Sequence, residues 1–75
     1  MHPAALLLRI RVISVSTRTA VRSLKPDDPQ VPEVVERGRL LLDRLEPQVL
    51  EHESDEVRLA FAQAREELDS VGGRG

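Results

Sequence analysis

Cysteine is absent from this chain of 75 residues, so disulfide bonds and thiolate metal ligands are both excluded. Phe61 is the single aromatic residue, and any core must therefore consist mainly of Leu, Val, Ile and Ala side chains. The longest apolar run, Ala4 to Leu8, is far shorter than the roughly 20 residues of a membrane-spanning helix. These absences predict a small domain without a membrane span, and we expect it in the cytoplasm.

Motifs for catalysis and ligand binding are lacking too. His2 and His52 are the only side chains that normally titrate near neutral pH, and the closely spaced glycines stand at the end of the chain. The acidic turn from Glu51 to Glu56 contains a single histidine, which is more typical of a solvated helix start than of a metal site. We therefore expect no enzymatic activity, no cofactor and no metal ion.

Charge is divided unevenly along the chain. The residues before Pro26 include five basic residues and no acidic one. From Pro26 onward there are 13 acidic and 6 basic residues, a net charge of −7, and the two parts sum to the −2 of the whole chain. Parts of opposite sign indicate two segments with different roles.

Residues 4 to 24 fit two secondary structures. As a strand, Leu8, Ile10 and Val12 alternate with arginines, and the β-branched residues favour extended backbone. As a helix, one face would contain Leu6, Ile10, Ile13, Thr17, Ala20, Val21 and Leu24. A separate polar face would contain Arg11, Ser14, Arg18, Arg22 and Lys25. Because residues 10 to 19 have low helix propensity, we predict a strand over about 8 to 17 within a basic strand or tail, residues 1–25.

Residues 26–32 are predicted to be a proline-rich linker that leads into a helix, which Asp28 is suited to cap. From Glu33 an apolar stripe repeats every three or four residues, and it comprises Val35, Gly38, Leu42, Leu45, Val49 and His52. Glu33 with Arg37 and Arg39 with Asp43 are spaced to pair across one turn of this helix. Pro47 lies inside it and could kink it near Arg44 or make it restart at Pro47, and we predict the kink.

A second helix is predicted from Ser54 or Asp55, either of which can cap it, to the glycines at 72 and 73. Its stripe comprises Val57, Phe61, Ala64, Leu68 and Val71. The turn between the helices is short, so residues 33–71 are expected to form an antiparallel hairpin, followed by a flexible tail at residues 72–75.

Two helices cannot bury both of their own stripes, so the hairpin is predicted to need a partner. A second copy, which would give a dimeric four-helix assembly, or a groove on another protein would cover the stripes. The predicted interface comprises Val35, Leu41, Leu42, Leu45, Val49, Val57, Phe61, Ala64 and Leu68. The function predicted is a small protein–protein interaction or assembly module, in a mainly α fold.

The basic segment allows two other functions. A strand followed by two helices is the order of ribbon-helix-helix DNA-binding proteins, in which paired strands enter the major groove. The protein would then be a dimeric regulator or antitoxin, and Arg9, Arg11 and Arg18 would contact nucleic acid. As a helix free of acidic residues and rich in Arg, Ser and Thr, residues 1–25 instead have the composition of a mitochondrial targeting segment. That alternative would make the protein an imported accessory protein of the mitochondrial matrix.

Overall fold

The structure, a computed structural model, describes residues 2–52 and 54–72 and consists of three α-helices. α1 spans Pro3–Arg22, α2 spans Gln30–Glu51 and α3 spans Asp55–Gly72. Each helix contacts the other two, so the architecture is that of a small helical bundle. The prediction of a mainly α protein is confirmed, and no strand occurs in the described ranges.

The predicted strand over residues 8 to 17 is wrong, because the whole segment belongs to α1. Pro3 stands at the start of this helix, and the side chain of His2 accepts a hydrogen bond from the backbone N–H of Ala4 at 3.2 Å. Leu6 and Ile10 are 0 % and 1 % exposed. Burying such a side chain contributes about 1.5 to 3 kcal/mol, whereas a β-branched residue costs at most about 0.7 kcal/mol in helix propensity. Tertiary burial therefore outweighs the local preference for extended backbone.

The buried face of α1 differs from the predicted helical face. Ala20 is exposed, and Ile13, Val21 and Leu24 are only partly buried. Ser14 was grouped with the arginines on the polar face, yet it is buried together with Leu6, Ile10 and Thr17. Its hydroxyl donates a hydrogen bond of 2.8 Å to Oε2 of Glu67 in α3. A buried hydroxyl needs such a partner, and the position of α3 supplies it.

Side chains predicted as caps accept backbone hydrogen bonds at the starts of the two later helices. Oδ1 of Asp28 accepts a hydrogen bond from the backbone N–H of Gln30 at 2.8 Å. The N-cap of α2 is nevertheless Pro29, and α2 begins at Gln30, inside the predicted linker rather than at residue 33. Oγ of Ser54 accepts a hydrogen bond from the backbone N–H of Val57 at 3.4 Å, just before α3. α2 runs through Pro47 without restarting. Of the predicted tail, residues 73–75 lie outside the described residues.

The ion pairs between α2 and α3 show the relative direction of the two helices. Arg39 lies 2.7 Å from Asp69, whereas Arg65 lies 2.6 Å from Asp43 and 3.0 Å from Glu46. Later positions in α2 thus meet earlier positions in α3, so the two helices run in opposite directions. The predicted pair of Arg39 with Asp43 is wrong, because both side chains reach across to α3 instead.

The core is shared by all three helices. Its buried residues are Leu6, Ile10, Leu42, Leu45, Val49, Val57, Phe61, Ala64 and Leu68. Leu6 and Ile10 come from α1, and the remaining seven come from the stripes of α2 and α3. α1 therefore supplies covering surface that the sequence pattern had led us to expect from a partner.

Gly38 lies where the three helices meet closely. A Cβ atom at this position would lie 2.5 Å from Oγ1 of Thr17 in α1 and 3.2 Å from Cδ1 of Leu68 in α3. The first distance is well inside van der Waals contact, and Thr17 is buried and β-branched, so its side chain has little freedom to move. The missing side chain of Gly38 thus permits the approach of α1 to α2.

We expect Gly38→Ala to lower the free energy of unfolding by about 1 kcal/mol. Overpacking costs roughly 1 to 3 kcal/mol and exceeds the gain of about 1 kcal/mol from replacing a helical glycine with alanine. In a Thr17→Ala background the clash with Oγ1 is gone, so the same substitution should become neutral or stabilising. Urea denaturation of the four variants of this cycle measures the coupling, and equal effects of Gly38→Ala in both backgrounds would contradict the close approach.

Leu6→Ala and Leu8→Ala form a matched pair on α1. Leu6 is fully buried and its truncation should cost about 2 to 5 kcal/mol, whereas Leu8 is 63 % exposed and its truncation should change stability by about 0.5 kcal/mol or less. Thermal and urea melts of the full chain provide the measurement. Similar losses for both variants would show that α1 does not pack on α2 and α3 in this orientation.

Candidate protein-interaction surface

Most residues predicted to form an interface lie inside a single chain. Eight of the nine are buried: Val35, Leu42, Leu45, Val49, Val57, Phe61, Ala64 and Leu68. Leu41 is the exception, with its side chain at the boundary between α1 and α2. Since α1 packs on the stripes of α2 and α3, no partner is needed to hide the eight buried side chains.

Four large aliphatic side chains are exposed on the side of the bundle formed by α1 and α2. They are Leu8, Val12 and Val15 of α1 with Leu41 of α2, and they are 42 % to 63 % exposed. We call these four residues the α1–α2 face. The three from α1 are spaced by four and three residues, which places them along one side of that helix. Leu8, Val12 and Leu41 line a common cavity, so the two helices contribute to one surface.

A groove between α1 and α2 lies beside these residues. At one end it has a volume of about 410 Å³ and is lined by Leu8, Arg9, Val12, Ile13, Leu41, Arg44 and Leu45. A second section of about 360 Å³ is lined by Ser16, Thr17, Ala20, Gln30, Glu33, Val34, Arg37, Gly38 and Leu41. Leu41 lines both sections, so the groove follows the helix pair over several turns. Residues 8 and 45 mark one end, and residues 20 and 30 mark the other.

Arginines border the exposed aliphatic residues. Arg9 and Arg44 line the first section of the groove and Arg37 lines the second, where Glu33 is the only acidic lining residue. Arg11, at about 200° from Arg9 around the helix, lies on the other side of the aliphatic residues of α1. Among the described residues, none of these four arginines forms an ion pair. The arginines that do are Arg18, Arg39 and Arg65.

The three arginines predicted to contact nucleic acid are not brought together. Arg9 borders the groove with α2, Arg11 is rotated away from it, and Arg18 pairs with α3 through Glu67 at 3.3 Å. The strand on which the ribbon-helix-helix interpretation depended is helical. For the mitochondrial alternative, removal of residues 1–25 would take Leu6 and Ile10 out of the core.

Glu67 joins two polar side chains of α1 to α3. Its Oε2 atom accepts the hydrogen bond from Ser14 and lies within ion-pair distance of Nε of Arg18, although the angle at that nitrogen does not make a hydrogen bond. Arg18 and Glu67 are both more than one third exposed, so solvent screens the ion pair and the Ser14 contact carries more of the specificity. The cluster holds the Ser14 side of α1 toward α3 and leaves Leu8, Val12 and Val15 facing outward.

Other kinds of site find no support in the described part of the chain. No group of three or more histidine, aspartate and glutamate side chains within residues 2–52 and 54–72 could hold a metal ion. None of the three helices, over the same ranges, has the length and apolar character required to cross a membrane. Comparison of the chain with protein-family models, with curated proteins and with solved structures gave no match.

The exposed residues of α1 were missed at the level of sequence, although a signal for them exists. Leu8, Val12 and Val15 repeat at helical spacing beside the buried stripe of Leu6 and Ile10. Once residues 8 to 17 were assigned to a strand, this second stripe could not be recognised. A helix with two apolar stripes can bury one of them in the core of the chain. The other stripe then faces solvent or a partner protein.

Glu67→Ala should lower the free energy of unfolding by about 1 to 2 kcal/mol, because it leaves the buried hydroxyl of Ser14 without its partner in α3. Glu66→Ala is the matched control, since Glu66 is exposed and should change stability by about 0.5 kcal/mol or less. Urea midpoints of both variants test this difference. If the two substitutions have equal effects, Glu67 does not position α1.

Proposed function

We propose that this chain is a small protein–protein interaction module that binds its partner through the α1–α2 face. The observation that carries the proposal is the set of four large aliphatic side chains exposed together on one side of a bundle whose interior is already filled. Single exposed apolar residues are common on protein surfaces, whereas a contiguous group with a charged border is typical of binding sites.

The proposed binding surface differs from the interface that was predicted from the sequence. A dimeric four-helix assembly through Leu42, Val57 and Leu68 would require α1 to leave the hairpin of α2 and α3, since these side chains are buried behind the bundle surface. Binding through the α1–α2 face leaves the core closed. Binding of this kind therefore avoids the free-energy cost of separating α1 from α2 and α3.

A second copy is a less favourable partner for this face than a different protein. If two identical α1–α2 faces packed together about a twofold axis, each copy would present its own arginines along the contact. Like charges placed opposite each other at an interface are costly. We therefore propose a heterologous protein partner, and self-association is an outcome that the experiment distinguishes.

Site-specific photo-cross-linking in living cells tests the proposal. A benzophenone amino acid replaces Val12 or Leu41 in the α1–α2 face, or Gln63 on the exposed surface of α3 as the control. We expect discrete protein adducts from positions 12 and 41, and none of the same mass from position 63. Adding Leu8→Asp should abolish these adducts while the thermal melt stays unchanged, since Leu8 is exposed.

The proposal fails if positions 12 and 41 give no protein adduct, or if position 63 gives the same adducts with the same yield. It also fails if Leu8→Asp leaves the adducts unaffected. An adduct with the mass of two chains would support an interaction module and overturn the heterologous partner.

A further inference from the structure

We infer that the partner segment bound at the α1–α2 face is an acidic amphipathic helix of another protein. The inference rests on the proposed function, because it names the chemistry of the partner for the same surface. Shape, charge and the unpaired state of the bordering arginines each support it.

The shape of the surface suits a helix. The groove lies between two helices that run in opposite directions, because residues 8–13 of α1 line one section with residues 41–45 of α2, whereas residues 16–20 line the other with residues 30–41. The side-chain ridge of a third helix fits into such a groove, and apolar residues spaced by three and four would reach its floor. α1 has 20 residues and is about 30 Å long, so a bound helix of four or five turns would lie along most of it.

The charge of the surface selects an acidic helix. Arg9, Arg37 and Arg44 line the groove against the single carboxylate of Glu33, and Arg11 borders the aliphatic residues of α1 from the other side. Since none of these arginines has an ion-pair partner among the described residues, each can bind a carboxylate of the incoming helix. The planar guanidinium group is suited to bind a carboxylate through two hydrogen bonds.

The same features disfavour an anionic lipid surface. The lining of the groove includes Ile13, which is partly buried, and Leu45, which is buried, and a flat bilayer surface would leave that depression unfilled. A helix side-chain ridge would fill it. Anionic vesicles therefore form a separate arm of the test.

Titration of the full-length protein with two synthetic peptides tests the inference. Both peptides have about 18 residues, with leucines spaced by three and four, and their flanking positions hold glutamate in one peptide and lysine in the other. We expect the glutamate peptide to bind about tenfold more tightly or better, and added salt to reduce this preference. In NMR spectra it should shift the backbone amides of Val12 and Leu41 and leave that of Leu59, an exposed leucine of α3, unchanged.

Charge reversal supplies the matched controls. Arg9→Glu with Arg44→Glu should weaken binding of the glutamate peptide about tenfold and strengthen binding of the lysine peptide. Arg58→Glu on α3 changes the net charge in the same direction at an exposed site outside the groove, and it should leave the preference in place. Circular dichroism melts verify that all of these surface variants remain folded.

Equal affinity for the two peptides, or shifts at Leu59 as large as those at Val12, would overturn the inference. Stronger perturbation of Val12 and Leu41 by phosphatidylserine vesicles than by the glutamate peptide would also overturn it, in favour of a lipid surface. If cross-linking captures a protein at positions 12 and 41 but the peptides are not distinguished, the interaction function stands and the acidic helix is wrong. If cross-linking captures none, the proposed function itself fails.

Discussion

The packing of Leu6 and Ile10 of α1 against the apolar stripes of α2 and α3 is the contact on which the rest of the structure depends. An isolated helical hairpin leaves part of each stripe in water, and a chain of 75 residues has little other apolar surface with which to compensate. With α1 in place, the stripes are closed within one chain. The bundle therefore does not need a second molecule to complete its core, and a binding role must be sought on the outside.

Two contacts of α1 with the other helices determine which side of α1 faces the core. Gly38 has no side chain where Thr17 approaches α2, and Glu67 accepts a hydrogen bond from Ser14 where α1 approaches α3. Neither contact adds much apolar burial, but each fits only one rotation of α1 about its axis. That rotation buries Leu6 and leaves Leu8, only two residues away, largely exposed. The stability of the core and the presence of the α1–α2 face are thus consequences of the same orientation.

The uneven distribution of charge along the chain corresponds to different helices of the bundle. The basic segment is a helix packed against two helices that are acidic overall, yet Arg18 is the only arginine of α1 with a recorded ion pair among the described residues. The acidic side chains of α2 and α3 that pair do so mostly with Arg39 and Arg65 of those same helices. Consequently Arg9 and Arg11, on the two sides of the exposed aliphatic residues of α1, have no ion-pair partner within the described ranges, and the proposed preference for acidic partners rests on this arrangement.

Periodicity and capping by themselves were enough to locate α2 and α3, because both depend on residues close together in the chain. Asp28 and Ser54 accept backbone hydrogen bonds at the starts of these helices, and the stripes containing Leu42 and Leu68 are buried. α1 was assigned incorrectly because strand and helix patterns overlap in residues 4 to 24, and local propensity favoured the strand. The burial of Leu6 and Ile10 by distant residues reversed that preference. The identity of the exposed face could not be predicted either, since it depends on how α1 is rotated against Gly38 and Glu67, and contacts between residues so far apart in the chain exist only in the folded bundle.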